Sequence, residues 1–421
     1  MSQIRSGPEV LLDRNDQNDS SSGSRKLSTV FLVSVGLVIV FVVVTALSPA
    51  AIGEAMGGAM NAVAGTIGWS YLVVPLLCVF LMAWLAISRF GKLRLGSQEC
   101  RPEYSTFSWL AMILAAVMGI GLVSYGVAEP MSHFLAPPHG LAEPETMDAA
   151  IRALEFAYLD WGMHAWAVFG IFGLAIGYST HRKGRPALVS VMLRPVLGKA
   201  VDGWPGKLVD ILTILATLFG TTTSLGLGAA QISQGLNTVI GIEPTLAIQI
   251  MVIAVVTLLF TGSALTGVSR GIRYISQITL TLATLFGLFI FLLGPTGFIS
   301  NLFVRSVGQY SSDFLMISLM TPLTSADMEW MQWWTYFMMA WWLSWSAFVG
   351  IFLAKISRGR TVRQFVAGVM LVPSFFFFAW FTIMGGSAMH LDMEKQAGIG
   401  QATQEDLNSA FFALKWSGFS S

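Results

Sequence analysis

Charge is what this sequence has least of. Lys, Arg, Asp and Glu make up 11% of its 421 residues, where soluble domains carry about 25%. Hydrophobic residues reach 54% and the mean hydropathy is +0.68, so most of the chain is built for lipid rather than water. The two cysteines, Cys78 in an apolar run and Cys100 in a polar loop, exclude a disulfide framework. Five scattered histidines exclude a zinc-finger spacing. No G-x-S-x-G, H-E-x-x-H or Walker loop occurs, so the common hydrolase, metalloprotease and nucleotide-binding classes fall away. Paired carboxylates within one apolar run are missing too. That scarcity of intramembrane ionisable groups argues against a proton relay. The first 26 residues (containing NDQNDSSSGSRK) lack the apolar core of a cleavable signal and read as a disordered tail.

Apolar runs of membrane-crossing length are present at 27–48, 68–89, 107–127, 157–179, 206–237, 245–264, 272–294, 330–354 and 364–388. The expected architecture is therefore an all-α integral membrane protein. Most of the 24 Lys and Arg fall on alternate connections. These are the N-terminal tail, then 89–101 and 181–207, the pair Arg270 and Arg273, and 355–363. The other connections hold acidic Glu143, Glu145, Asp148, Asp392 and Glu394. By the positive-inside rule the N-terminus is expected in the cytoplasm. Residues 297–320 are too polar to span and read as an amphipathic helix on the outer face.

Three groups of residues carry candidate chemistry. In MMAWWLSWSAFVGIF, Trp341 and Trp345 lie four apart and Trp342 and Trp345 three apart, so all three crowd one helical sector at mid-depth. Ser344 and Ser346 lie beside them. Intramembrane indoles normally sit at the interfaces. Three at mid-depth suggest either aromatic packing or a cage for a quaternary ammonium, which cannot donate a hydrogen bond and is held by cation–π attraction. The second group is LDWGMHAWAVFG. Trp166 and Phe169 share a face, and Trp161 is either an outer belt residue or part of the same cage. His164 reads as a packed histidine rather than a proton carrier. The third is AAVMGIGLVSYGVAEP, where Gly119, Gly121 and Gly126 permit either close helix packing or a helix unwound at mid-membrane. In ATLFGTTTSLGLG, Thr217 and Thr221 stack on one face, either back-bonding to the preceding turn or offering oxygens to a cation.

Four segments, WTYFMMAWWLSWSAFVGIFLAKISRGRTVRQF, MGIGLVSYGVAEPMSHF, KLVDILTILATLFGTTTSLGLG and TGVSRGIRYIS, closely resemble the betaine/carnitine/choline transporter (BCCT) family. The match runs in order from about residue 30 to about 390. The resemblance implies a leucine-transporter-type fold of two inverted five-helix repeats preceded by two extra helices, and a homotrimer. On that template the chain divides into a tail (1–26), two N-terminal helices (27–106), a first repeat (107–294), an outer amphipathic helix (295–325) and the start of a second repeat (326–421). About nine of about twelve expected helices are then present. The resemblance thus implies a chain whose second repeat is incomplete and which transports nothing by itself.

The resemblance also assigns residues. It implies substrate contacts from Trp161, Trp166, Phe169, Met118, Gly119, Gly121, Trp341, Trp342 and Trp345. It implies one sodium site at Thr217, Thr221 and Phe348, and part of a second at the carbonyls of Ala115 and Met118. Glycine at 121, where choline-handling relatives often carry an acid, implies a zwitterion such as glycine betaine. Sodium-coupled relatives often have Tyr where Phe169 stands, and Val117 replaces a glycine. Ala347 in place of a proline and Met339 in place of a tryptophan imply a looser cage. The expected function is secondary import of glycine betaine or a related trimethylammonium osmolyte, sodium-coupled, at the plasma membrane. Alternatives are a choline or carnitine carrier (proton-coupled or exchanging) and a non-transporting sensor or remnant.

Overall fold

The computed structural model describes residues 28–116, 119, 121–265, 273–395 and 398–413. Among these the chain is helical, and extended pairing is confined to one bridge between Arg94 and Thr361. Seven helical stretches are long and apolar enough to cross a membrane, and Thr106–Ala115 and Leu246–Gly262 are shorter apolar helices. Val- and Ile-rich segments such as α1 (Thr29–Leu47) are mediocre helix formers in water. In hydrocarbon the helix is enforced, because every backbone polar group must be satisfied within the segment. Only 6% of α1 is buried by protein, so it offers its apolar side chains to lipid. A helix that the sequence reading did not assign, α2 (Pro49–Ile67), follows before α3 (Ser70–Ile87).

The third apolar run is broken. α4 (Thr106–Ala115) stops, and a wide π-helical turn, Gly121–Tyr125, leads into α5 (Gly126–Leu135). A wide turn leaves carbonyls without their usual partners, and here the Trp380 indole N–H donates to Leu122 O at 2.8 Å. Gly126 makes that approach possible, since a Cβ there would sit 2.7 Å from Trp380 Nε1. The described backbone thus ends one helix at Ala115 and resumes as a π turn at Gly121; Val117, Met118 and Ile120, on which the unwound-helix reading falls, lie outside the described residues.

The run expected at 157–179 proves longer and bent. α6 (Met147–Trp161), capped by Thr146, meets α7 (Met163–Gly177) at Gly162, whose backbone is not helical. Phe378 fills the bend so closely that a Cβ on Gly162 would lie 2.6 Å from it. Next come α8 (Trp204–Ile240), α9 (Leu246–Leu265), α10 (Arg273–Leu293), α11 (Thr296–Ser318), α12 (Ser325–Trp333), α13 (Thr335–Ile356) and α14 (Val372–Lys395). The expected amphipathic segment is α11, which turns Ile299, Leu302, Tyr310 and Ile317 inward against α6 and α14. Arg152 on α6 fastens it by donating to Asp313 at 2.7 Å, which holds that carboxyl below the usual carboxylate range.

The core lies where α5, α6, α7, α13 and α14 converge. α7 and α13 pack most extensively, backbone to backbone at Gly173 and Gly350. A Cβ on Gly350 would stand 2.6 Å from Phe172 Cβ, the close approach that small residues allow between membrane helices. Three basic connections meet at one end of the bundle. Leu95 and Arg360 pair through their backbones at 2.9 Å, Arg94 donates to Gly359 O at 2.8 Å, and Arg182 reaches Gly96 O at 3.4 Å. Their grouping in the fold is the one their charge required.

Candidate binding site

A cavity of about 650 Å³ opens between the broken segment, the α6–α7 bend, α8, α9 and α13. Four indoles line it: Trp161, Trp341, Trp342 and Trp345. Trp341 and Trp342 stack, with centroids 5.2 Å apart and planes 6° apart, and Trp161 meets Trp342 edge-on at 4.8 Å. Three of the four N–H groups are tied back into the protein. Trp161 donates to Glu129 Oε2 at 2.6 Å, Trp342 to the Asp160 carbonyl at 2.7 Å and Trp341 to Ser224 Oγ at 3.2 Å. Bonds of this kind fix the ring planes and leave π surface for an occupant. The lining described contains no charged side chain, so attraction for a cation comes from ring quadrupoles.

Close approach is set by glycine. A Cβ on Gly121 would stand 2.1 Å from Cζ3 of Trp161, so only glycine lets the ring lie against the broken helix. Gly220 plays the same part for Trp345, where a Cβ would be 2.5 Å from Cδ1. Gly119 and Ala115 also line the cavity, Gly119 with nothing near its absent Cβ. Thr221 lies on the opposite wall. Its hydroxyl donates to Thr217 O at 2.8 Å, the back-bonded arrangement, which leaves the hydroxyl lone pairs for another partner.

An uncharged cavity walled by four indoles at a helix break, spread over segments from Ala115 to Trp345, is carried by a chain whose residues 29–417 match the model of the betaine/carnitine/choline family transporters. The chain belongs to this BCCT family. It is 41% identical over 385 residues to the glycine betaine transporter OpuD of Bacillus subtilis, covering 91% of this chain and 75% of that protein. The betaine/ectoine transporter LcoP of Corynebacterium glutamicum is 38% identical, covering 90% of this chain and 61% of its own length. A high-affinity choline transport protein of Escherichia coli K12 is 35% identical, covering 91% of this chain and 57% of its own. The family and these relatives are multi-pass membrane transporters, not enzymes.

Not every residue assigned from the sequence reaches the cavity. Trp166 and Phe169 are buried behind it, edge-on to each other at 5.8 Å, with Phe169 supporting Trp342 at 5.9 Å. Phe348 turns outward, 49% exposed, with its ring against Trp345 at 6.1 Å. Thr217 stands one turn from the lining, and Met118 lies outside the described residues. His164 is packed as read, 2.9 Å from Ser318 Oγ. Trp161 belongs to the site and not to an outer belt, being 2% exposed.

Three rings escaped the sequence reading. Tyr125, in the π turn, stands 5.5 Å from Trp161 and 5.9 Å from Trp341. Phe377 and Phe381 of α14 lie 5.5 Å behind Trp161. The run FFFF in the ninth apolar stretch was the only available signal, and in a lipid-facing composition it says little. One cluster lay beyond the sequence reading, which found no paired carboxylates within a single apolar run: Glu129, His133 and Asp160 come together fully buried. The two carboxylates reside on different helices, α5 and α6, so no scan within a single run could pair them.

Proposed function

We propose that this chain is the binding core of a secondary transporter for glycine betaine or a closely related trimethylammonium zwitterion. The observation that carries the reading is the uncharged cavity faced by four indoles. A trimethylammonium group needs π surface and no acceptors, and a net-neutral occupant needs no fixed counter-charge beside it. Its size falls within the usual range for small-molecule sites. The relatives named for glycine betaine and betaine/ectoine transport support the same class. Backbone N–H groups at the helix break are the natural partners for the substrate carboxylate.

Sodium coupling belongs to the same proposal. Thr221 and Thr217 would supply hard oxygen ligands of the kind such an ion prefers, with Phe348 in the same site, as the family resemblance implies. The Ala115 and Met118 carbonyls would belong to a second site. The proposal further includes two inverted repeats of the leucine-transporter type, a cytoplasmic N-terminus at the plasma membrane and a homotrimer. The deciding experiment is a titration of tryptophan emission of the purified chain in lipid nanodiscs. Glycine betaine should shift the emission saturably in sodium buffer, and dimethylglycine, which keeps an N–H, should bind more weakly. An unchanged spectrum at saturating betaine, with normal folding, would refute the reading.

Choline is the second reading, favoured by one observation. Glu129, bonded to the Trp161 N–H, would when ionised lay negative charge near a wall that a bare cation would touch. Competition by choline against betaine in the same titration ranks the two.

A further inference from the structure

Behind the Trp161 ring lies a cluster that the cage does not explain. Glu129, His133 and Asp160 are each 0% exposed, with one ligand-type atom from each within 4.8 Å of the others. Glu129 gives one oxygen to the Trp161 N–H, and its other oxygen stands 3.7 Å from His133 Nε2. Glu129 Oε1, Asp160 Oδ1 and both His133 nitrogens have no hydrogen-bond partner among the described residues. Asp160 Oδ2 receives only a 3.4 Å contact from Thr335. Nor does any described Lys or Arg pair with either carboxylate.

The surrounding titratable groups have other business. On α6, Glu155 is bound to Arg152, which also holds Asp313 of α11. His139 faces Asp327 of α12, and on that helix Glu329 is exposed. His164 of α7 is bonded to Ser318. Beyond the end of α14, the Ile399 N–H donates to Asp392. Glu405 is exposed and bonded to Gln401, Tyr158 of α6 is bonded to Thr382, and Tyr125 lies close enough to Glu129 to interact with its charge. Two bare carboxylates sealed this close together would lack a counter-charge, an arrangement that burial strongly disfavours.

We propose that Glu129, Asp160 and His133 form a proton-binding site whose occupancy is linked to the aromatic wall of the substrate cavity. A proton is the occupant that fits. All three groups are sealed, and a proton, unlike a hydrated ion, crosses such a barrier by exchange between neighbours. His133 supplies the route. Its ring lies 4.9 Å from Trp330 and 4.7 Å from Trp334, which line a second cavity of about 560 Å³. The proton leaves the Glu129 carboxyl, giving the carboxylate, and is taken up by His133 Nε2. His133 does not itself line that cavity, so the imidazolium then releases the proton on Nδ1 to water that enters past Trp330 and Trp334. The link to substrate runs through the indole N–H. An anionic Glu129 at 2.6 Å makes the Trp161 face more electron-rich, which favours a cation against it. Substrate binding therefore expels the proton, and by reciprocity affinity rises with pH. That linkage rests on the cage reading above; the proton site itself does not.

The test uses the purified chain in nanodiscs. Betaine added in weak buffer should acidify the medium in proportion to the sites filled. Affinity from tryptophan emission should rise about fivefold or more from mildly acid to mildly alkaline buffer, the lower range of ordinary two-site coupling. Glu129→Gln keeps an acceptor for the Trp161 N–H and should bind betaine with pH-independent affinity and no proton release. If betaine shifts the emission while wild-type affinity is flat with pH and no proton is released, the linkage is wrong and the cage stands. If no trimethylammonium compound binds at all, the cage reading fails and infrared difference spectra on acidifying the substrate-free protein decide. A protonated-carboxyl band that vanishes in Glu129→Gln or Asp160→Asn supports the site. No such band in wild type, or stoichiometric zinc or manganese in the purified chain, overturns it.

Discussion

The two walls of the cavity are built differently. The α6–α7 wall belongs to a stretch 78% buried within the protein, while the α8 wall belongs to one only 11% buried. Trp161 is consequently held on every side, by Gly121, Phe377, Phe381 and the bond to Glu129. Thr221, by contrast, has its own helix and the cavity for company. A wall locked by packing holds ring planes to the tolerance that cation–π attraction needs. A lightly packed wall can adjust oxygens around an ion. On the proposed reading, recognition would belong to the first wall and coupling to the second.

Four substitutions would break or sharpen that contrast. The largest effect belongs to Gly121→Ala, because the new Cβ meets the Trp161 ring at 2.1 Å and a locked wall has nowhere to move. Overpacking of about 3 kcal/mol, about a hundredfold in Kd for glycine betaine, is expected. Adding Trp161→Phe, a smaller ring, should recover folding without recovering affinity. Unchanged binding in Gly121→Ala would mean that the wall is soft.

Trp345→Leu comes next. Leucine keeps apolar surface but removes the ring quadrupole, worth about 2 kcal/mol, or about thirtyfold in affinity. Normal membrane levels with undiminished emission response would show that the ring packs rather than binds. Thr221→Val should act on the other wall alone. Losing one charge-assisted contact of about 1.5 kcal/mol should raise the sodium concentration for half-maximal betaine binding about tenfold. Affinity at saturating sodium should stay unchanged, and a loss that sodium does not rescue would place Thr221 in substrate recognition. The smallest effect belongs to Phe348→Ala. The ring is 49% exposed and meets only the edge of Trp345, so about twofold is expected from a lost aromatic pair near 0.5 kcal/mol. A tenfold loss would show that the outward ring organises the cage.

What composition and spacing determined is the material of the molecule. Low charge and long apolar runs require helices in lipid, because an unsatisfied backbone is too costly there. Alternating basic connections group at one end because every span reverses direction, and Arg94, Arg182 and Arg360 do meet. The crowding of Trp341, Trp342 and Trp345 follows from the helical period, as does the stacking of the two threonines. These are local rules, and they act within one helix.

Only the tertiary structure decided which groups face one another across helices. It swung Phe348 outward, set Trp166 and Phe169 behind the cavity rather than in it, and brought Tyr125, Phe377 and Phe381 to Trp161. It also joined Glu129 and His133 of α5 to Asp160 of α6, in a chain that read as almost free of buried charge. No periodicity within a segment encodes such a meeting. It depends on the bend at Gly162, the break before Gly126 and the void left by a missing Cβ at Gly121. Helix packing sets those contacts through shape at distances of a few ångström, and shape at that scale is a property of the assembled bundle rather than of any run of letters.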